Sequence, residues 1–291
     1  MKLAYYPGCS SHGSAADYDR SARAVAGALA LELVDVPEWN CCGASSAHGA
    51  DHRLALYLPG RNLAVAAGMG MGGLVTPCAA CYSRLNRAHH WLAEDRRRWL
   101  ELSAAVGVPY NDVGKPRSLL EVVVGDVGLE AVAVQVRRPL KGLKAAAYYG
   151  CLMLKPPEVA RFDDPENPRS MDDLLQALGA QPVRWGFKTE CCGASLSVSR
   201  PELVEKLVGD ILDNASAAGA ECVVTACPMC QANLEQRRAQ RHRLPVFYFT
   251  DLAGIAFGLS PRELGIPMHL GEPLELLRGK GLLAAGEEGQ G

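Results

Sequence analysis

Val75-Thr76-Pro77-Cys78-Ala79-Ala80-Cys81 occurs again, in kind, as Val224-Thr225-Ala226-Cys227-Pro228-Met229-Cys230. Each begins as a short β-branched run, the pattern of a buried strand, and passes through Cys-x-x-Cys into a helical pattern, which places the cysteines on a strand-to-helix turn. Upstream of each copy stands a second repeated group, Cys41-Cys42-Gly43-Ala44-Ser45 and Cys191-Cys192-Gly193-Ala194-Ser195. Further upstream stands a third, Tyr5-Tyr6-Pro7-Gly8-Cys9 and Tyr148-Tyr149-Gly150-Cys151. Ten of the 11 cysteines fall in these two sets of five, spaced 32, 1, 36 and 3 in the first and 40, 1, 35 and 3 in the second. Soft ligands repeated with their neighbours intact describe a binding site used twice.

Working outward, strands alternate with helices in both halves. Leu3–Tyr6, Leu33–Val36 and Leu74–Thr76 read as strands of the first half. Ala145–Tyr149, Val183–Trp185, Cys222–Thr225 and Val246–Phe249 read as strands of the second. Helices are expected over Asp17–Leu31, from Pro59-Gly60 to Ala67, Ala79–Leu102, Ser118–Val124, Met171–Leu178, Glu202–Ala217 and Asp251–Phe257. Pro59 is expected at the first turn, where its missing N–H costs little. Gly107 to Lys144, poor in motifs, reads as the connection between halves, and Pro156-Pro157 with Asp163 to Pro168 as an irregular loop. The fold class is α/β: two pseudo-symmetric units over 1–140 and 141–279, each a small parallel sheet flanked by helices, with 280–291 as a flexible tail. Cysteines gather where strands end, the edge at which open α/β layers bind ligands.

The bulk numbers narrow the function. The chain has 291 residues, 48% hydrophobic, with 30 basic against 32 acidic residues and a formal charge of −2. That balance offers no electrostatic footprint for nucleic acid, and Arg96-Arg97-Arg98 reads as a solvated helix face. No 18-residue uncharged apolar stretch and no leader pattern occur, so a cytoplasmic location without a membrane span is expected. In a reducing compartment, an odd number of cysteines in a large apolar chain reads as metal or redox chemistry rather than a disulfide framework.

A Cys-x-x-Cys alone is shared by zinc ribbons, redox dithiols and iron–sulfur proteins. The adjacent pair narrows the choice. Neighbouring side chains of an extended segment point apart, which suits a polynuclear cluster better than two corners of one tetrahedral zinc. Five cysteines per set also exceed what zinc takes. On ligand number and softness, iron–sulfur clusters rank first, structural zinc second and a cluster-free dithiol enzyme third.

The two cysteine sets, with the N-terminal strand and the late Phe247-Tyr248-Phe249-Thr250-Asp251-Leu252 segment, resemble over nearly the full length the B-type subunit family of heterodisulfide reductase, with its duplicated cysteine-rich CCG domain. The resemblance implies two noncubane [4Fe-4S] clusters. Cys9, Cys41, Cys42, Cys78 and Cys81 would hold one; Cys151, Cys191, Cys192, Cys227 and Cys230 would hold the other. It also implies an oxidoreductase that cleaves a disulfide lying between the clusters, or oxidises thiols in reverse. The chain itself has no ferredoxin-type cysteine run and no dinucleotide fingerprint. Electrons would therefore come from partners, which the resemblance identifies as a ferredoxin-like iron–sulfur subunit of the C type and a flavoprotein subunit of the A type. The substrate, a disulfide or thiol, can be small or protein-bound. The alternative function is a non-catalytic iron–sulfur electron-relay subunit of a CCG-containing dehydrogenase complex, of a lactate, glycolate or fumarate type; a zinc-stabilised interaction module is the third.

Other residues carry weaker readings. Cys222, outside both sets, reads as a small buried hydrophobe. His12 and His48 follow cysteines and can serve as proton donors, against the plainer reading of polar-loop histidines. Lys188 reads as a surface lysine, with a role beside anionic sulfur as the alternative. His89-His90 read as structural or exposed, while Gly43 and Gly193 read as part of the site's architecture.

Overall fold

A computed structural model describes residues 1–283, apart from the side chain of Ser45. Two four-stranded, all-parallel sheets form its frame. The first contains β1 (Lys2–Tyr5), β2 (Glu32–Asp35), β3 (Leu74–Thr76) and β4 (Arg117–Ser118), in the spatial order β2-β1-β3-β4. The second contains β5 (Lys144–Tyr148), β6 (Gln181–Pro182), β7 (Cys222–Thr225) and β8 (Val246–Tyr248), in the matching order β6-β5-β7-β8. The register runs Ala4 to Leu74 in the first sheet and Ala145 to Cys222 in the second. Strands β3 and β7 are buried on both faces, as their apolar runs require.

Strand order reverses between β1 and β3, and again between β5 and β7. Such a switch point opens a crevice beyond the strands' carboxyl ends. Cys9 and Cys78 follow the first pair, and Cys151 and Cys227 the second.

The halves share one continuous apolar core. Helix Ala16–Ala28 packs on helix Phe249–Phe257, where the Ser21 and Thr250 hydroxyls meet at 2.6 Å. The Tyr18 and Tyr248 rings stack with centroids 3.9 Å apart and planes at 4°. Tyr82 donates its hydroxyl hydrogen to the Ala160 carbonyl at 2.6 Å. The sheets are therefore welded into one body by helices and aromatic rings.

Several expectations shift. Pro59 lies inside helix His52–Gly68, because Asp51 caps an earlier start by accepting a hydrogen bond from the Leu54 N–H at 2.8 Å. The stretch from Ala79 to Leu102 is two helices, Ala79–Glu94 and Arg96–Val106; extended Asp95 breaks the run and accepts from the Arg97 N–H at 2.9 Å. The expected connection from Gly107 carries β4, and a helical run continues from Leu119 to Gln135 through a π-helical segment, Val122–Gly128. The edge strand sits at Gln181–Pro182 rather than Val183–Trp185, and Pro156-Pro157 leads into a short helix, Pro157–Ala160. Leu282 and Leu283, in the expected tail, are buried against the core; residues 284–291 of that tail lie outside the described residues.

Candidate sulfur centre

The ten repeated cysteines, spread over more than 200 positions, converge on one region. Cys9 and Cys41 Sγ are 3.8 Å apart, and Cys42 and Cys81 Sγ 3.3 Å apart. Cys192 and Cys230 Sγ are 3.5 Å apart. Neighbouring thiols also shift each other's ionisation in the pairs Cys41 and Cys42, Cys78 and Cys81, Cys227 and Cys230, and Cys151 and Cys191. Across the two halves, the Cys78 and Cys227 thiols shift each other's ionisation, Cys78 upward and Cys227 downward. The two sets thus come within electrostatic reach of each other at the first cysteine of each Cys-x-x-Cys.

Local structure explains this arrangement. Cys78 and Cys227 occupy the N-caps of helices Ala79–Glu94 and Pro228–Gln236, placing Cys81 and Cys230 in the first turns beside them. Gly43 and Gly193 have φ of 79° and 74° and turn the chain after each cysteine pair. Their N–H groups donate to Cys41 Sγ at 3.5 Å and Cys191 Sγ at 3.3 Å. Gly8 and Gly150 also have positive φ, and a Cβ on either would lie 3.0 Å from Cys81 Sγ or 3.2 Å from Cys230 Sγ. Tyr6 donates its hydroxyl hydrogen to the Asn40 carbonyl at 2.8 Å, and Tyr148 to the Glu190 carbonyl at 2.7 Å, so each tyrosine pins the residue before a cysteine pair. The repeated Tyr-x-Gly-Cys carries both devices.

All 11 cysteines are free thiols. Cys42, Cys78, Cys81, Cys192, Cys227 and Cys230 are buried, while Cys9, Cys41 and Cys191 are exposed. Among the described residues, no group of three or more His, Cys, Asp or Glu side chains is set to hold a single metal ion; five thiols in each half, three of them buried, with backbone N–H groups on sulfur, fit a larger polynuclear group bound by soft donors instead. Ionisation is uneven within each set. Hydrogen bonds from the Cys41 and Cys81 thiols, with the Ala44 N–H and the Arg84 charge, hold Cys42 down at about 3. Cys41 moves upward, since its proton is shared with Cys42. Bonds from the Cys230 and Cys78 thiols lower Cys227, helped by the Met229 and Cys230 N–H groups, and the Cys151 thiol brings Cys191 to about 6.

The remaining candidates lie elsewhere. Cys222 is fully buried in β7. His12 is exposed and rests against Trp39, with ring centroids at 5.3 Å. His89 meets Asp112 at 3.3 Å and His90 meets Glu94 at 3.5 Å. Lys188 is not a surface lysine: its ammonium is buried against Asp172 at 2.7 Å and the Pro168 carbonyl at 3.2 Å. His48 is exposed and, with His52, Arg84 and Arg87, lines a depression of about 220 Å³. Arg84 is half-buried, and repulsion from Arg87 adds to burial in lowering its pKa.

This duplicated frame matches known proteins. The profile of the CCG cysteine-rich domain family matches twice, over residues 3–86 and 145–235. The chain belongs to the CCG cysteine-rich domain family. It is 34% identical, over 91% of its length and 95% of the relative's, to the 8-methylmenaquinol:fumarate reductase membrane anchor subunit of Wolinella succinogenes. It is 28% identical to the B-type subunit of the ferredoxin/F420H2-dependent CoB-CoM heterodisulfide reductase of Methanosarcina acetivorans, over 95% of this chain and 96% of that one. A protein of Archaeoglobus profundus, named for its likeness to the B-type subunit of heterodisulfide reductase, is 29% identical over 91% and 93% of the two chains. The crystal structure of a hypothetical protein from Helicobacter pylori superposes with a TM-score of 0.74 at 14% identity, covering 92% of this CCG chain and 51% of that one, so this chain spans about half its length. That likeness is one of fold. Among the described residues, no helix of this CCG protein is long and apolar enough to cross a membrane.

Proposed function

We propose that the chain is the catalytic subunit of a heterodisulfide reductase-like complex, reducing a disulfide or, in reverse, oxidising thiols. In this reading each cysteine quintet holds one noncubane [4Fe-4S] cluster. The matched buried pairs, Cys42 with Cys81 at 3.3 Å in one half and Cys192 with Cys230 at 3.5 Å in the other, are the observation that supports it best. Cleaving a disulfide consumes two electrons and two protons and releases two thiols, so two one-electron sites must act together. Bound in the two quintets, iron–sulfur groups would supply the one-electron storage.

The chain's own residues would do the rest. The Gly43 and Gly193 N–H groups and the helix N-termini at Cys78 and Cys227 stabilise negative charge on sulfur. Tyr6 and Tyr148 fix the cysteine pairs. Cys9, Cys41 and Cys191 open the sets to solvent, giving a substrate sulfur a way in. Electron donors of the ferredoxin-like C type and flavoprotein A type complete the proposed cytoplasmic complex.

The likeness to a fumarate reductase subunit supports a second reading, an electron-relay subunit without disulfide chemistry. Anaerobic purification, metal analysis and electron paramagnetic resonance separate these readings. The first requires about eight irons and eight labile sulfides per chain and a spectrum that changes on adding thiol. Iron without a thiol response favours the relay; zinc in place of iron overturns both.

A further inference from the structure

Behind the seam between the two sulfur sets lies a group of buried ionisable residues that the disulfide chemistry leaves unused. His269 Nε2 stands 3.3 Å from Asp17 Oδ2 and 3.5 Å from Asp251 Oδ2. Asp17 comes from the first half, on helix Ala16–Ala28, while Asp251 and His269 come from the second. The His269 and Asp251 side chains are 0% exposed and that of Asp17 is 7% exposed. Asp17 Oδ1, Asp251 Oδ1, His269 Nε2 and Tyr248 Oη are buried without a hydrogen-bond partner among the described residues. The two carboxylate Oδ1 atoms and Tyr248 Oη lose their hydration without recompense, and Nε2 has only the two carboxylates beside it.

The protonation arithmetic is constrained. His269 Nδ1 faces the Val246 carbonyl at 3.1 Å, and a carbonyl only accepts, so Nδ1 carries a hydrogen. A second proton on Nε2 gives an imidazolium between two carboxylates, with a net charge of −1. One more proton makes the group neutral, which a low-dielectric setting favours. In keeping with this, burial raises the carboxyl of Asp17 and brings that of Asp251 to about 7.

The group reaches towards both sulfur and water. Tyr18, next to Asp17, donates its hydroxyl hydrogen to the carbonyl of Pro77, which precedes Cys78, at 3.0 Å. The Tyr18 ring stacks on Tyr248, whose ring stands edge-on to His269 with centroids 5.6 Å apart. Tyr248 pairs in register with Thr225, two residues before Cys227. Burial above all raises both tyrosine hydroxyls, and thiolate charge at Cys227 adds to the rise, which places the ring pair within the electrostatic reach of the seam. On its outer side, the backbone of His269, whose side chain is 0% exposed, borders a depression of about 520 Å³ with Glu272, Glu275 and Arg278. Glu235, whose Oε2 accepts from the Leu270 N–H at 2.9 Å, and Arg238 flank it from helix Pro228–Gln236 and the residues just after. Arg20, on the Asp17 helix, is turned away to the Arg262 carbonyl at 3.3 Å.

We propose that Asp17, Asp251 and His269 form a buried proton-binding site that takes up one proton from water when the adjoining sulfur centre is reduced. The inference rests on the sulfur centre being redox-active. In the step, one electron passes from a reduced iron–sulfur donor protein to the centre, one proton passes from water to the carboxylate–imidazole group, and no covalent bond between heavy atoms changes. The added charge is matched on the far side of two stacked rings, so the buried seam stays near neutral. On reoxidation by substrate, the proton returns to water.

The test is a redox titration of the metal-loaded protein across pH, followed by electron paramagnetic resonance. Above neutral pH, each one-unit fall should raise the reduction equilibrium constant up to tenfold, about 59 mV for a one-electron step. Asp251→Asn, which keeps an acceptor for the Tyr248 N–H, should flatten that dependence, and Glu235→Gln should leave it intact. In reduced-minus-oxidised infrared spectra, a protonated-carboxyl band should appear in the wild type and vanish in Asp251→Asn. Unchanged pH dependence in Asp251→Asn, or its loss in Glu235→Gln alone, overturns the proposal while the iron content leaves the redox reading standing. A protein that binds no redox metal overturns both.

Discussion

The two halves share a sulfur frame but surround it differently. Three and six residues after the last cysteine, the first half has Arg84 and Arg87, and the second has Asn233 and Gln236. Six and ten residues after the cysteine pair, His48 and His52 are matched by Val198 and Glu202. Arg84 is half-buried and adds its charge to the groups that lower Cys42. Asn233 instead donates to the Cys192 carbonyl at 2.8 Å and accepts from the Ser197 hydroxyl at 2.9 Å. One half brings the Arg84 charge to bear on Cys42; in the other, an amide holds the matching cysteine and the nearby Arg237 guanidinium donates to the Ser197 carbonyl at 3.2 Å. Duplication preserved the cysteines and their cradle, and it allowed the charge around them to diverge. The first site is therefore expected to accept an electron more readily than the second.

The strongest way to break the comparison is to remove one ligand from either side. Cys42→Ser and Cys192→Ser should each lose about half the iron, the signal of one site and nearly all disulfide turnover, because neither site can supply both electrons. Metal analysis and turnover check this; loss of both sites from either change would show that the halves assemble as a unit.

The seam gives the next largest effect. Folded Asp251 sits near 7 against an ordinary 3.8, so the folded state binds this proton more tightly than the unfolded state does. That contribution to stability is complete below 3.8 and is lost as pH rises through about 7. Relative to Asp251→Asn, the wild type should lose a few kcal/mol of stability between those limits. Denaturant titrations of both proteins across that window measure it.

Gly8→Ala and Gly150→Ala probe the shared cradle. Each adds a Cβ against sulfur in a left-handed conformation, at a cost of about 1–2 kcal/mol from the backbone alone. The 3.0 Å approach at Gly8 should make its variant poorer in iron than that at Gly150, with 3.2 Å. The smallest effect is the one that isolates the difference between halves. Arg84→Asn should disfavour reduction of the first site by about 1 kcal/mol and leave the second where it was, as potentiometry would read.

Much of this is legible in the sequence, for physical reasons that differ by element. Strand Cys222–Thr225 is recovered to the residue because a fully buried central strand is a continuous apolar run. Arg117–Ser118 is two polar residues long, too short for any period to show, so β4 leaves no trace in the pattern. Asp95 ends a helix through one side-chain cap inside a sequence that otherwise continues the helical pattern. At the site, soft donors at fixed spacing betray the cysteines. Tyr6 and Tyr148 carry a usable signal in the repeated Tyr-x-Gly-Cys. Asp17, Asp251 and His269 carry none, since they come from separate elements of both halves and meet only after folding. Lys188 looks like a surface residue in the sequence because Asp172, which draws it inside, lies 16 residues away across a loop.

The most direct test is a single-turnover count of thiols. Metal-loaded protein, reduced by two electrons and freed of reductant, is mixed with a disulfide that it turns over. The account predicts two thiols per wild-type chain and almost none from Cys42→Ser or Cys192→Ser. Full thiol yield from a variant that retains one site would contradict the claim that the two halves form one reaction centre.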